Sequence, residues 1–337
     1  MLQENLIKMF EASFREHHDL PALSDYFGKD SLTYFEMSEK IARLHLLFEK
    51  YGVKQGDKIA LIGRNNVNWC VTYIAVVTYG AVIVPILQDF NPSDVENIIT
   101  HSESRLLFAG DIYWQTLDSD RMPDLEAAVI VNNFSLAYEK EGDKFAQLLS
   151  TWEADFAAKY PAGFSVEDIK YAEVPNEQMI LLNYTSGTTG GRKGVMLSNR
   201  NLAANSSYEA YCMDDEDVSF SILPMHHVFC YACDVLKTIY DGGILCLNGA
   251  MTDMYKNFLI FEPTIMRIVP AICKAILTRI RITQRRNPTF TPREAAELVV
   301  GKNFRRMIAG SAFLSAAVID EFEKYGITAR QGYGMSE

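Results

Sequence analysis

"MILLNYTSGTTGGRKGVMLS", residues 179–198, sets an apolar run, a stretch of threonine, serine and glycine, and a second apolar run end to end. Each apolar run has the length of a buried strand. Between them, glycines let consecutive backbone N–H groups converge on one point, the hydroxyls of Thr185, Ser186, Thr188 and Thr189 add donors, and Lys193 adds a positive charge. The guest that suits such a loop is an anion with many oxygens, and a polyphosphate fits. A plain surface linker is the alternative, but a connection between two buried strands is seldom so rich in donors without a ligand. Two well-known phosphate loops fail the spacing. A Walker A loop needs a hydroxyl directly after its lysine, whereas Gly194 follows Lys193, and the dinucleotide fingerprint G-x-G-x-x-G is absent.

Outward from the loop, strand-like runs alternate with longer helical patterns: "KIALIG" (58–63), "AVIVPIL" (81–87), "RLLFAG" (105–110) and "AAVIV" (127–131) before it, then "VSFSILP", "GGILCLN", "TIMRIVP" and "RRMIAG" after it. This alternation predicts βαβ units and a largely parallel sheet. The helix "NWCVTYIAVVTYG" (68–80) is apolar on nearly every side and is expected to be buried, with Gly80 ending it. Capping boxes are expected at Thr33 with Glu36 and at Ser93 with Glu96. Later helices are expected near 201–212, 227–240, 271–283 and 315–325, with Pro270 in the first turn of the third. Residues 132–176 lose the strand signal and end in the polar "AEVPNEQ", which places a lobe boundary near 176: a first α/β lobe over 1–176 and a second over 177–337.

The 337 residues are 48% hydrophobic, enough for a large core, and the formal net charge of −11 argues against nucleic acid as a partner. Six cysteines scattered through apolar runs indicate thiols rather than a disulfide framework. No stretch is long and apolar enough for a membrane span, and Glu4 and Glu11 spoil a signal peptide, so a cytoplasmic protein is expected. "RIRITQRR" gathers Arg279, Arg281, Arg285 and Arg286, with Arg305 and Arg306 further on. It reads either as a solvated helix face or as a docking patch for an anionic cofactor or lipid headgroups, which leaves peripheral membrane contact open.

The loop resembles that of the AMP-forming adenylating enzymes, the superfamily of acyl-CoA synthetases, luciferases and peptide-synthetase adenylation domains. Their pattern [ST]-S-G-T-T-G-x-P-K-G is met by T-S-G-T-T-G-G-R-K-G at 185–194, with Arg192 where proline is usual. Further segments follow in the family's order: "LTYFEMSEKIARL" (32–44), "YGAVIVPI" (79–86), "LPMHHVF" (223–229), "AGSAFLS" (309–315) with Phe313 where proline is common, and "QGYGMSE" (331–337). The implied fold is the large N-terminal domain of the acyl-CoA synthetase and luciferase-like fold: two stacked, mixed, mostly parallel sheets with helices between and outside them.

The resemblance also implies chemistry. A carboxylate joins ATP to give acyl-adenylate and pyrophosphate, and a thiol such as coenzyme A then displaces AMP. Two anions must meet, so fixed positive potential and a metal are needed. Thr185, Ser186, Gly187, Thr188, Thr189, Gly190 and Lys193 would grip the β and γ phosphates, Ser336 the α phosphate, and Glu337 would bind Mg²⁺. Gly310, Ser311, Ala312, Gln331, Gly332 and Tyr333 would form the adenine slot, with Tyr333 stacking on the base. His227, Val228, Gly332 and Gly334 would line the acyl pocket, His227 as a gate rather than a proton carrier, since a carboxylate nucleophile needs no general base. Helix capping by His226 or His227 is the simpler role. His226, Cys230 and Cys233, at i, i+4 and i+7, could instead share a face as metal ligands, though core packing accounts for them better.

Amino-acid-activating relatives carry an aspartate in the gate motif, whereas residues 225–229 read M-H-H-V-F, so an uncharged acyl chain is expected. The sequence is most similar to bacterial long-chain fatty acid–CoA ligases. Relatives continue past the last motif into a small lid domain bearing a catalytic lysine, so residues 1–337 are expected to be the N-terminal part of a longer ligase, poor in turnover alone. A lidless protein that binds nucleotide or fatty acid, an adenylating enzyme for an aryl or medium-chain acid or with an acyl carrier protein as acceptor, and a conventional P-loop kinase or ATPase are the rival readings. Oligomeric state is not written in these residues.

Overall fold

In the computed structural model, which describes residues 3–25, 30–185, 192–208 and 216–336, each apolar run named above is a strand. Two short strands, β1 (Pro21–Ser24) and β2 (Ser31–Thr33), come first in the chain. Then come β3 (Lys58–Ile62), β4 (Val82–Ile86), β5 (Leu106–Ala109), β6 (Ala127–Ile130), β7 (Ser135–Glu139), β8 (Met179–Thr185) and β9 (Lys193–Ser198). The series closes with β10 (Val218–Ser221), β11 (Ile244–Leu247), β12 (Ile265–Ile268), β13 (Arg306–Ala309) and β14 (Thr328–Gln331). They form two seven-stranded sheets, ordered β7-β6-β5-β3-β4-β8-β9 and β14-β13-β12-β10-β11-β1-β2. In the first, β3 pairs in parallel with β4 and β5, and the outer pairs β6–β7 and β8–β9 are antiparallel. In the second, every pair from β14 through to β1 is parallel. The fold class is therefore the expected α/β arrangement of two mixed, mostly parallel sheets with helices.

The division of the chain differs from expectation. One compact unit comprises residues 1–19, 33–208 and 336–337, and the other residues 20–32 and 209–335. The boundary near 176 fails because β8 bonds to β4, Leu181 opposite Ile83, and β9 bonds to β8, so 179–198 completes the first sheet. The polar stretch before β8 is a connection within that unit. The second sheet recruits its β1 from the start of the chain, Leu23 opposite Leu245.

In the first unit the helix Val67–Tyr79 is buried on all sides, as its composition requires; the Asn66 side chain accepts the Trp69 N–H at its start, and Gly80, at φ +88°, turns left-handed at its end. Thr33 and Glu36 make the expected capping box on the helix Tyr34–Tyr51. The helix Pro92–Ser102 is capped instead by Asn91, with Pro92 at the first helical position. Glu96 does not serve Ser93, because its carboxylate pairs with Arg121 and accepts the Asp118 N–H. Ala60, Val84, Ile98, Leu107 and Leu182 belong to this unit's core. In the second unit Phe258 packs edge-on against Phe220 and Phe304, at ring separations of 5.0 and 5.5 Å, inside a core shared with Met266, Ile276 and Val300.

The arginine-rich stretch lies on the helix Pro270–Arg286, and much of its charge is engaged: Arg281 pairs with Glu321, Arg279 lies 4.1 Å over the Tyr255 ring, and Arg305 and Arg306 both reach the buried Asp217. Among the described residues no helix is long and apolar enough to cross a membrane.

Candidate functional site

In the second sheet β10 lies between β11 and β12, so successive connections leave it to opposite sides. In an open α/β sheet such a switch of direction opens a crevice beyond the carboxyl ends of the strands, where ligands bind. The segment leaving β10 there is 222–229. His226 is buried, and burial together with its neighbour His227 presses its ring to about 3, so it stays neutral. His227 is exposed; its Nδ1 accepts the Phe229 N–H at 3.3 Å, which caps the helical run that follows. The simpler role considered for His227 is therefore one that it performs, and His226 does not cap. Val228 is half-buried.

That run is α-helical from Val228 to Cys230, wound as a π-helix over Tyr231–Leu236, and α-helical again to Tyr240. Asp234 on the wide turn accepts a hydrogen bond from Ser219 Oγ of β10 at 2.5 Å, and Arg267 of β12 lies 3.4 Å from the same carboxylate, both charged groups being 1% exposed. A buried pair of this kind costs desolvation and is tolerated when its geometry is fixed. Here it ties the extra-wide turn to β10 and β12. π-Turns recur at functional sites. The Cys230 thiol donates to the Leu223 carbonyl at 3.3 Å, and among the described residues no three His, Cys, Asp or Glu side chains are placed to hold a metal ion.

The ends of β13 and β14 lie along the same edge. The Gly310 N–H donates to the Ile268 carbonyl and the Gly332 N–H to the Ala309 carbonyl, at 2.9 and 2.8 Å, so the backbone stays in register one residue past each strand. Ser311 then turns with φ +65°, unusual for a residue with a side chain. Gln331 braces this turn: its Oε1 accepts the Leu314 N–H at 3.1 Å, and its Nε2 reaches the Ala312 carbonyl at 3.4 Å. A methyl group at Gly310 would come within 2.6 Å of the Phe229 ring, so 222–229 and 309–315 meet over a bare backbone. Gly334 has open space around its absent side chain; nothing in its own packing demands glycine. Tyr333 is 89% exposed and Phe313 76%, large ring faces left uncovered at a strand end. Ser336 is half-buried, and Glu337 lies outside the described residues.

In the first unit the Thr-Ser-Gly loop joins the antiparallel pair β8 and β9 at the carboxyl end of β8. Thr185 and Lys193 face each other at its stem, and Ser186, Gly187, Thr188, Thr189 and Gly190 lie outside the described residues. Lys193 is exposed and makes no ion pair among the described residues. A methyl group at Gly194 would sit 3.0 Å from Leu182 Cδ1, a tight contact with the end of that side chain. Tyr184 Oη lies 2.6 Å from His101 Nδ1. Arg192, just before Lys193, stacks its guanidinium 3.6 Å from the Phe90 ring centre and pairs with Asp94. The roles of Phe229, Asp234, Arg267 and the Arg192 contacts were not evident from sequence; only the arginine standing in for proline gave a signal. A cavity of about 90 Å³ near His45, Lys159 and Tyr171 contains none of the assigned residues.

The chain belongs to the AMP-binding enzyme family, whose sequence model matches residues 10–337. Within that family it is similar to the long-chain-fatty-acid–CoA ligase of Thermus thermophilus, 26% identical over 316 residues that cover 90% of this chain and 52% of that protein. It is also similar to a 4-coumarate–CoA ligase-like protein of Arabidopsis thaliana, at 24% identity over 91% of this chain and 52% of that one. The chain thus spans about half the length of these curated relatives. Among solved structures, a long-chain-fatty-acid–CoA ligase from Archaeoglobus fulgidus superimposes with a TM-score of 0.78 at 20% identity, covering 100% of this chain and 65% of that one. The N-terminal domain of FACL13 from Mycobacterium tuberculosis gives 0.75 at 21%, covering 99% and 77%. At these identities the superpositions establish the fold.

Proposed function

We propose that the protein carrying this chain activates a fatty carboxylate, most in keeping with a long acyl chain, by transferring AMP from ATP, and then passes the acyl group to coenzyme A. The carboxylate oxygen attacks the α-phosphorus, the bond to the bridging oxygen breaks, and pyrophosphate leaves; the thiolate of coenzyme A then attacks the acyl carbon and AMP departs. The observation that carries the proposal is that 222–229, 309–315 and the start of 331–337, assigned to this chemistry from sequence, leave the carboxyl ends of β10, β13 and β14, parallel strands of one sheet. In this reading Lys193 holds the leaving pyrophosphate, the exposed Tyr333 ring stacks on adenine, the turn braced by Gln331 borders the slot, and the uncharged 225–229 segment faces the acyl group. A Mg²⁺ ion, for which Glu337 is the assigned ligand, would supply neutralisation of phosphate charge. The similarity to long-chain ligases supports the fatty substrate; that to a 4-coumarate–CoA ligase-like protein keeps an aryl acid as the second reading.

The test is carboxylate-dependent exchange of labelled pyrophosphate into ATP by the protein expressed from its native reading frame, over a panel of fatty and aryl acids. Exchange with long-chain acids is expected, and none with any acid defeats the proposal. Lys193→Ala is expected to lower exchange by about 10- to 100-fold, the worth of one charge-assisted phosphate contact, while His226→Gln changes it far less. Equal losses would overturn these assignments.

A further inference from the structure

We propose that Arg192, clamped between Phe90 and Asp94, is a positioning residue that sets the direction in which Lys193 presents its ammonium group. The inference deepens the reading of Lys193 as a phosphate ligand and rests on it. Lys193 opens β9 and is exposed, with no ion pair of its own among the described residues to orient it. A lysine side chain has four rotatable carbons and a point charge, so its aim depends on how firmly the backbone beneath it is held. On the β8 side of the stem, Thr185 pairs with Lys193 across the ladder. The other hold is Arg192. Its planar guanidinium stacks 3.6 Å from the Phe90 ring centre, and its Nη2 pairs with Asp94 Oδ2.

Both partners are themselves fixed. Phe90 packs against the first unit's core. Asp94 lies in the first turn of the helix Pro92–Ser102, where its N–H donates to Asn91 Oδ1 at 2.9 Å and its carboxylate accepts from Asn91 Nδ2 at 2.8 Å. A negative charge is at home at a helix start, so the carboxylate is a stable anchor. Arg192 is spent on that anchor and points its charge at Asp94, which sets it apart from Lys193 as a support and not as a second phosphate ligand. In this chain a stacked ion pair thus holds the residue directly before Lys193. A lysine at 192 would keep the charge and lose the planar stack, so it should substitute only in part.

The experiment measures binding of inorganic pyrophosphate by calorimetry, and the KM for ATP and for the carboxylate in the exchange reaction, using the protein from its native reading frame. Arg192→Ala and Asp94→Asn are each expected to weaken pyrophosphate binding and raise the KM for ATP by about tenfold, part of what Lys193 itself contributes. The carboxylate KM should stay at its wild-type value, and the unfolding temperature should fall by no more than one surface ion pair and one helix-start charge are worth, whereas a merely structural role would lower the carboxylate and ATP parameters together. The double variant should be no worse than either single one, and Arg192→Lys should fall between wild type and Arg192→Ala. Wild-type binding by Arg192→Ala overturns the inference while leaving the proposed function standing. A loss with Arg192→Ala but none with Asp94→Asn also overturns it, by making Arg192 a direct phosphate ligand. Absence of pyrophosphate binding in the wild-type protein defeats both.

Discussion

Gly310 shows how much a missing side chain can decide. Its backbone lies so close to Phe229 that an added methyl group would meet ring carbons at 2.6 to 2.9 Å, below any ordinary contact. We expect Gly310→Ala to cost about 1–3 kcal/mol of unfolding free energy through overpacking. Combining it with Phe229→Leu should recover part of that loss, a coupling visible in a double-mutant cycle of denaturant midpoints. Strict additivity would show that the two residues are not packed as described. Sequence alone identified Gly310 through its motif but gave no hint of the ring beside it, since the two positions are 81 residues apart. The role proposed for Lys193 rests on the opposite kind of signal, its immediate neighbours in a glycine-rich stretch of sequence. The partners of Arg192 were hidden by the same distance that hid Phe229.

Elements were read well where burial alone decides them. Strands buried on both faces in a parallel sheet show as continuous apolar runs, and β3, β4, β5 and β8 do. The strands that escaped notice, β1, β2, β7 and β14, are short, and β2, β7 and β14 present half-buried or exposed positions along most of their length. Nothing in their composition separates them from loop. At the start of the helix Pro92–Ser102, two cap patterns overlap, Asn91 with Asp94 and Ser93 with Glu96. Proline decides between them, because its fixed φ and missing N–H suit the first helical position and so put the cap one residue earlier. Asn91→Ala is therefore expected to lower stability by about 1 kcal/mol and Ser93→Ala by only a few tenths. Urea titrations of the two variants check this; a larger effect at Ser93 would restore the expected capping box.

At the scale of the molecule, the fold class followed from the alternation of strands and helices, but the division into units did not. A polar stretch before residue 179 looks like a seam, yet partner choice in a parallel sheet is made over long sequence separations, and β8 finds β4 on the far side of it. The second sheet depends on the opening residues in the same way. A chain beginning at residue 33 would lack β1 and β2 and leave the flank of β11 without its ladder. Exposed strand edges seek other strands, so that truncated chain is expected to self-associate, as sedimentation velocity would reveal. A truncated chain that stayed monomeric at the concentrations where the intact one does would show that β1 contributes little to the edge.

The pairing of Leu23 with Leu245 also sets a clock. During synthesis β1 leaves the ribosome early, and its partner strand follows only after the whole stretch that forms most of the other unit has been made. At roughly 5–20 residues per second the interval is about 10 to 45 s, long compared with the folding of most single domains. For that time the four-residue β1 is without its mate, so the second unit cannot complete its sheet until synthesis has passed β11, which ends at Leu247.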